Sequence, residues 1–368
     1  MAESWLALSQ ADRVEALEYA AAQSGRPAHP LEKDIWVVWT LAAIYASPIA
    51  DTLTFKGGTS LSKVYKVIER FSEDIDLTYD IRALVPDLLR EGNPIPASAS
   101  QEKKITRAVR ARLPDWIEQT VRPVIDDALA ANGLQAGLSL AGQERDKLII
   151  AYPAVKTGTG YVSATVQLEF GARATGEPHH FHEVACDIAP WIEGVTFPTA
   201  RPLVMAAERT FWEKATAAHV YCRQERLRGE RYSRHWYDLA ALARSEHFDK
   251  AAADRQLAHQ VAEHKSMFFA EKDANGGKID YVEAVSGSLT LVPEGPSRTA
   301  LAQDFAAMSA RTACCCQISR SSMRFWKPAP PYRTRSIGWR EVRHFQAQSA
   351  RCSSHRAGGS TARSNRVT

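Results

Sequence analysis

Phe55-Lys56-Gly57-Gly58-Thr59-Ser60-Leu61-Ser62-Lys63, followed by Arg70-Phe71-Ser72-Glu73-Asp74-Ile75-Asp76-Leu77, is the part of the sequence that fixes the expected fold. Leu53-Thr54-Phe55 is a short β-type run that stops at Lys56-Gly57-Gly58. From Thr59 to Ile68 the spacing turns helical, with Leu61, Val64, Tyr65 and Ile68 on one face. Ile75-Asp76-Leu77-Thr78-Tyr79 returns to period two and predicts a strand. The unit is strand, Gly-Gly turn, helix, strand.

The residues in this unit suit phosphate chemistry. Gly57 and Gly58 let the backbone approach a ligand with no Cβ in the way. A helix starting at Thr59 offers unpaired N–H groups and a positive dipole end to an anion. Thr59 and Ser60 add hydroxyl donors, and Lys63 lies one turn further on. The G-x-x-x-x-G-K-[ST] spacing of a P-loop is absent, and a Gly-Gly-Thr by itself marks a turn and an N-cap just as well. Asp74 and Asp76 sharpen the expectation, because residues two apart on a strand share a face. Two carboxylates about 5 Å apart repel by roughly 3 kcal/mol at an effective dielectric of 20. A divalent cation reverses that repulsion, and Mg²⁺ typically takes one or two carboxylates plus substrate phosphates. Without the Gly-Gly turn upstream, Ser72-Glu73-Asp74 reads equally as a solvated acidic turn.

Outward from this unit, residues 4–24 are helical in pattern, broken by Pro27 and Pro30, and Leu31 to Ser47 predicts a mostly buried helix. A helical insertion spans about 98–132, punctuated by Pro114 and Pro123. Strands are expected over Lys147 to Tyr152, Tyr161 to Phe170 and His182 to Ile188. Pro202 to Cys222, Ser233 to Arg244 and Asp249 to His264 are helical in period. The fold class is therefore α/β: a small mixed sheet with helical insertions, a C-terminal helical domain and a disordered basic tail. The expected boundaries are 1–200, 201–311 and 312–368.

The formal charge of +4 hides an uneven distribution. Residues 312–368 carry 11 Lys and Arg against one acidic residue, Glu341, leaving 35 basic and 41 acidic residues, net −6, in the rest. A nucleic-acid argument from overall charge would thus rest on the tail alone. That tail holds Cys314, Cys315, Cys316 and Cys352, has no amphipathic period, and cannot bury enough surface to offset its ordering entropy. Its abrupt loss of acidic residues fits a frameshifted or recombined 3′ end; a native basic tail is the alternative. Met1-Ala2-Glu3-Ser4-Trp5 lacks the start of a signal peptide, and the apolar run Ile35 to Ala46 is too short for a bilayer. A cytoplasmic protein with reduced cysteines and no membrane contact is expected. His179-His180-Phe181-His182-Glu183 has no second ligand pair at zinc-site spacing.

The pattern G-G-T, helix, R-F-S-E-D-I-D-L resembles the nucleotidyltransferase motif of AbiEii/AbiGii-type toxins, a branch of the DNA polymerase β-like superfamily. Ala207-Glu208-Arg209-Thr210-Phe211-Trp212-Glu213-Lys214 resembles the family's helical Lys motif, and Arg234-His235-Trp236-Tyr237-Asp238-Leu239 its R-x-x-x-D-L motif. These ordered matches are more specific together than any one alone, and the resemblance covers about 1–310. It implies a toxin–antitoxin or abortive-infection enzyme that transfers a nucleotide from a nucleoside triphosphate, GTP or another, to an acceptor such as an RNA or tRNA 3′ end. Gly57, Gly58 and Thr59 would hold the triphosphate, Asp74 and Asp76 would ligate Mg²⁺, and Lys214 would neutralise phosphate charge. Asp238 would serve as base or orienting group. Glu169, in Thr165-Val166-Gln167-Leu168-Glu169-Phe170, is the candidate third carboxylate, or else a surface residue on an alternating strand. A cognate antitoxin, acting with or without contact, is the implied partner. The other readings are transfer to a small molecule or protein, and a sensor that binds nucleotide without transfer.

Overall fold

Alternation along Thr165–Ala174 shows how the sheet is built. Val166, Leu168 and Phe170 are buried on one side, while Gln167 and Glu169 lie on the other. In a computed structural model of the chain, which describes residues 2–156, 163–225 and 232–313, this strand is an interior strand, third in order, of a seven-stranded sheet. Seven segments form that sheet: β1 (Leu53–Lys56), β2 (Asp74–Asp80), β3 (Gly137–Ala141), β4 (Lys147–Ala151), β5 (Thr165–Ala174), β6 (His179–Phe181) and β7 (Leu203–Met205). Their order across the sheet is β3-β4-β5-β2-β1-β7-β6. The β5–β2 and β1–β7 pairs are parallel and the remaining pairs antiparallel, so the sheet is mixed, as expected.

Register sorts the side chains into two faces. Leu77 lies opposite Phe55 and Phe170, and Leu148 opposite Leu168. These residues join α1 (Gln10–Ser24), α2 (Ala28–Tyr45), α4 (Ala99–Trp116) and α5 (Arg122–Ala131) in one apolar core. On the other face Asp76 lies opposite both Lys56 and Glu169, and Glu169 opposite Lys147. One sheet therefore has a greasy back and a charged front. The charged front looks toward a second apolar core, built by α6 (Ala207–Gln224), α7 (Ser233–Leu242), α8 (His247–Ala253) and α9 (Arg255–Phe268). Leu61, from α3 (Gly57–Lys63), and Ile68 pack into this second core, so the Gly-Gly segment touches both.

Helix α2 is buried along most of its circumference, including the three consecutive charged residues Glu32, Lys33 and Asp34. Each has an assigned partner, as burial of charge demands. Glu32 accepts from the backbone N–H groups of Val155 and Lys156 at 2.8 and 3.0 Å. Lys33 pairs with Glu73 at 2.6 Å and Asp34 with Lys63 at 2.6 Å.

Several segments differ from expectation. His182 to Ile188 is not a strand of the main sheet; β6 ends at Phe181, and only Val184–Ala185 forms a short separate pairing. Leu203–Met205, read as helix, is a strand, because three consecutive apolar residues fit a fully buried strand as well as a helix. Asp249 to His264 is two helices, split where the Asp254 side chain caps α9 by accepting from Leu257 N–H. Pro114 sits inside α4, and the strain is taken up in a π-type turn at Ile117–Val121. The helix expected from Thr59 to Ile68 stops at Lys63. Tyr161 and the basic segment beyond Ala313 lie outside the described residues. Among the described residues no helix is long and apolar enough to cross a membrane.

Candidate active site

Gly57 follows β1 directly and has φ +83°, a left-handed backbone that favours glycine. A Cβ there would lie 1.9 Å from Oδ2 of Asp76, and one on Gly58 would lie 2.5 Å from Arg70 Nη2 and 2.6 Å from Ser72 Oγ. The glycines thus make room for the protein's own carboxylate and guanidinium, where the sequence suggested room for a ligand. Thr59 and Ser60 are fully buried. Thr59 Oγ1 donates to the Asp74 carbonyl at 2.5 Å and lies 3.1 Å from Ser72 Oγ, and Ser60 Oγ donates to the Gly57 carbonyl at 2.9 Å. Thr59 pins the turn against the start of β2 and Ser60 closes the turn on itself, so in the free protein both hydroxyls, expected to face a phosphate, are engaged internally. Lys63 also departs from the expected cradle. Its buried ammonium is shared between Asp34 at 2.6 Å and Asp187 at 2.8 Å, which locks α3 to α2.

The acidic residues do share the charged face. Asp76 sits between Lys56 and Glu169 in register, with Asp74 two residues before it on β2. Burial, and then Glu169 and Asp74, push the Asp76 carboxyl up to about 6, against the opposing pull of Lys56 and Lys214. Burial dominates this shift, and the neighbouring carboxylates add to it. Glu169 is turned aside: its Oε2 pairs with Lys147 Nζ at 2.7 Å. No three His, Cys, Asp or Glu side chains converge to ligate an ion among the described residues. The donor chemistry, hard carboxylate oxygens on one sheet face, still fits Mg²⁺. Asp74 and Asp76 are the residues that would hold it.

Asp238, on α7, is completely buried and takes three charge-assisted contacts. Arg70 Nε and Nη2 donate to its two oxygens at 2.7 and 2.8 Å, and Lys214 Nζ, from α6, lies at 2.9 Å. Although burial opposes ionisation, Lys214 and Arg70 hold the carboxyl far below its ordinary range. A carboxylate so held is a poor proton acceptor, so of the two expected roles the orienting one fits. Asp238 fixes Lys214, whose charge also acts on Asp76. Sequence reasoning singled out neither Arg70 nor Lys56. Arg70 was visible as the first residue of the R-F-S-E-D-I-D-L segment, and Lys56 as the residue that ends β1.

Other candidates resolve as packing. Trp212 is buried and its indole N–H donates to the Ala251 carbonyl, while that of Trp236 donates to the Leu291 carbonyl. His179 Nδ1 lies 3.0 Å from Thr54 Oγ1, and His182 rests edge-on against Tyr65.

Comparison with known proteins follows the same lines. The sequence model of one family, described as nucleotidyl transferase AbiEii toxin, Type IV TA system, matches residues 39–313. No curated protein matches. Among solved structures, MenT4, a nucleotidyltransferase toxin from Mycobacterium tuberculosis H37Rv, matches with a TM-score of 0.42 and 14% identity over 92% of this chain and 98% of that chain.

Proposed function

The chain belongs to the AbiEii nucleotidyl transferase toxin family of type IV toxin–antitoxin systems, and from that premise we propose how its residues perform transfer and to what. Asp74 and Asp76 would hold Mg²⁺, with Glu169 as a third carboxylate if it leaves Lys147. The ion would supply neutralisation of charge at the α-phosphate and the departing pyrophosphate. An acceptor hydroxyl bonds to the α-phosphorus in line, giving up its proton to solvent, as the bond to the bridging oxygen breaks and pyrophosphate leaves. Lys214 sets its charge against the phosphates and is aimed by Asp238, which Arg70 anchors. The turn Gly57-Gly58-Thr59-Ser60 borders the nucleotide with backbone, while Lys63 is occupied elsewhere. Residues 1–200 act as the nucleotidyltransferase domain and 201–311 as the helical domain that supplies Lys214 and Asp238.

The acceptor is an RNA 3′ end, with tRNA the foremost candidate, and the enzyme acts in the cytoplasm where both substrates are found. Its antitoxin counteracts it without needing to touch it. The observation that carries this assignment is the seating of Asp76: against Gly57, beside Asp74 and Glu169, and within the fields of Lys56 and Lys214. The test is incubation of the full-length protein with each α-labelled nucleoside triphosphate, total RNA and Mg²⁺. Label in RNA is expected. Label in a small molecule or protein would move the acceptor, and nucleotide binding without any labelled product would make the protein a sensor.

A further inference from the structure

Around Glu213, one residue before Lys214, the neighbouring charges are mostly cations. Glu213 is already paired with Arg209 at 3.1 Å, while Glu144 and Glu102 act on Arg173. Lys56 and Lys265 face the Glu213 carboxylate. Neither ammonium group makes a hydrogen bond or ion pair among the described residues, although both side chains are half-buried. Arg173, on the same sheet face as Glu169, and Lys265 both lie 4.5 Å from the centre of the Phe269 ring. His264 Nε2 meets the Arg173 carbonyl at 2.7 Å and so ties α9 to β5 at this point.

The free protein holds this arrangement at a cost. Burial lowers the Lys265 ammonium; Glu213 opposes this, and Lys56, Arg209 and Arg173 add to it. Glu213 itself is held down to about 2 against its burial by Lys56, Arg209 and Lys265, so it is ionised and its charge is already counted. Burial lowers His264 to about 4, leaving it neutral at physiological pH. Half-buried ammonium groups without a hydrogen-bonded or ionic partner are unusual in a relaxed interior. A bound anion removes the penalty.

We propose that Lys56, Arg173 and Lys265 form the binding hollow for the β- and γ-phosphates of the nucleoside triphosphate, in place of Lys63. This rests on the nucleotidyl-transfer assignment above. Lys56 is opposite Asp76 in the sheet, so a phosphate chain whose α-phosphate lies at Asp74 and Asp76 enters the hollow at Lys56 and ends at Lys265. A triphosphate concentrates several charges in a short length, which suits a small, half-buried group of cations. An RNA backbone spreads its charges along an extended strand and suits an open basic surface better.

The test uses the full-length protein and the variants Lys265→Met and Lys56→Gln. Nucleoside triphosphate binding is measured by calorimetry with Mg²⁺, and melting temperature is measured with and without inorganic tripolyphosphate. Each variant should weaken nucleotide binding by about tenfold or more, the loss of a charge-assisted contact. Unliganded Lys265→Met should melt no lower than wild type, because it removes repulsion, and should lose the stabilisation by tripolyphosphate. Wild-type nucleotide affinity in both variants overturns the proposal. So does a lowered melting temperature with the tripolyphosphate effect retained, which would make Lys265 structural. Weakened binding of single-stranded RNA with unchanged nucleotide binding also overturns it, by giving the hollow to the acceptor. If no α-label is transferred, yet tripolyphosphate stabilises wild type and not Lys265→Met, the hollow stands and the transfer assignment falls.

Discussion

Asp76→Asn should make the metal-free protein more stable while abolishing its activity. The Asp76 carboxyl is raised from 3.8 to about 6 by burial and by Glu169 and Asp74. Its ionised form is therefore disfavoured in the folded state relative to the unfolded chain. The penalty is fully present above pH 6, shrinks as pH falls from 6 towards 3.8, and vanishes below that. A shift of roughly two pH units corresponds to about 3 kcal/mol at 1.36 kcal/mol per unit. With an unfolding entropy near 2.1 cal/mol/K per residue and about 300 ordered residues, 3 kcal/mol raises a single cooperative melt by roughly 5 °C. Asn keeps the volume and removes the charge, so the gain should appear at pH 7.5 and be mostly gone at pH 4.5. Calorimetric melts of wild type and variant in EDTA at the two pH values measure it. Mg²⁺ with nucleotide should then raise the wild-type melting temperature and leave the variant's unchanged. A variant no more stable than wild type at pH 7.5, or equally stabilised at both pH values, would refute the electrostatic account of this site.

Asp238→Asn should do the opposite to stability. It strands two buried cations, costs about 3–5 kcal/mol, and eliminates transfer, read by denaturant melts and by label incorporation. Arg70→Gln combined with Asp238→Asn should recover part of the stability and none of the activity, as a double-mutant cycle would report. Gly57→Ala places a methyl group 1.9 Å from Asp76 Oδ2 at φ +83°, so it should cost at least about two orders of magnitude in turnover, the scale set by misplacing a reacting group by an ångström. Lys147→Met frees Glu169 from its 2.7 Å partner and should tighten Mn²⁺ binding measured by paramagnetic resonance. Expression in a bacterial host without antitoxin should slow growth, and the Asp238→Ala form should not; equal slowing would point to misfolding stress.

The local elements of the site were legible in the sequence. Period two put Asp74 and Asp76 on one face, and the alternation of 165–170 put Glu169 on a strand, because a strand's face pattern depends only on near neighbours. The Gly-Gly turn was legible as a turn, but its purpose was not: what a Cβ would strike is Asp76 and Arg70, 19 and 12 residues further along the chain. The ion pairs of Lys63 were not legible for the same reason. Its partners Asp34 and Asp187 lie on elements brought together only by the tertiary fold, the second of them 124 residues away. Leu203-Val204-Met205 fits either period, and only a vacant position beside β1 decides in favour of a strand. Lys56 and Lys265 could not be paired by eye, since nothing in the sequence links the end of β1 to the end of α9.

The division of the site between two cores has a consequence during synthesis. Asp74, Asp76 and Glu169 emerge from the ribosome with the sheet, while Lys214 and Asp238 come later with the helices. Asp238 is made 69 residues after Glu169, an interval of roughly 3–14 s at about 5–20 residues per second. Through that interval Arg70 lacks the carboxylate that grips it at both nitrogens, and Lys214, when made, lacks its anchor. A nascent chain, or one cut short before residue 238, is thus an incomplete toxin. The cell that makes it is exposed to a finished site only when the second core has folded onto the first.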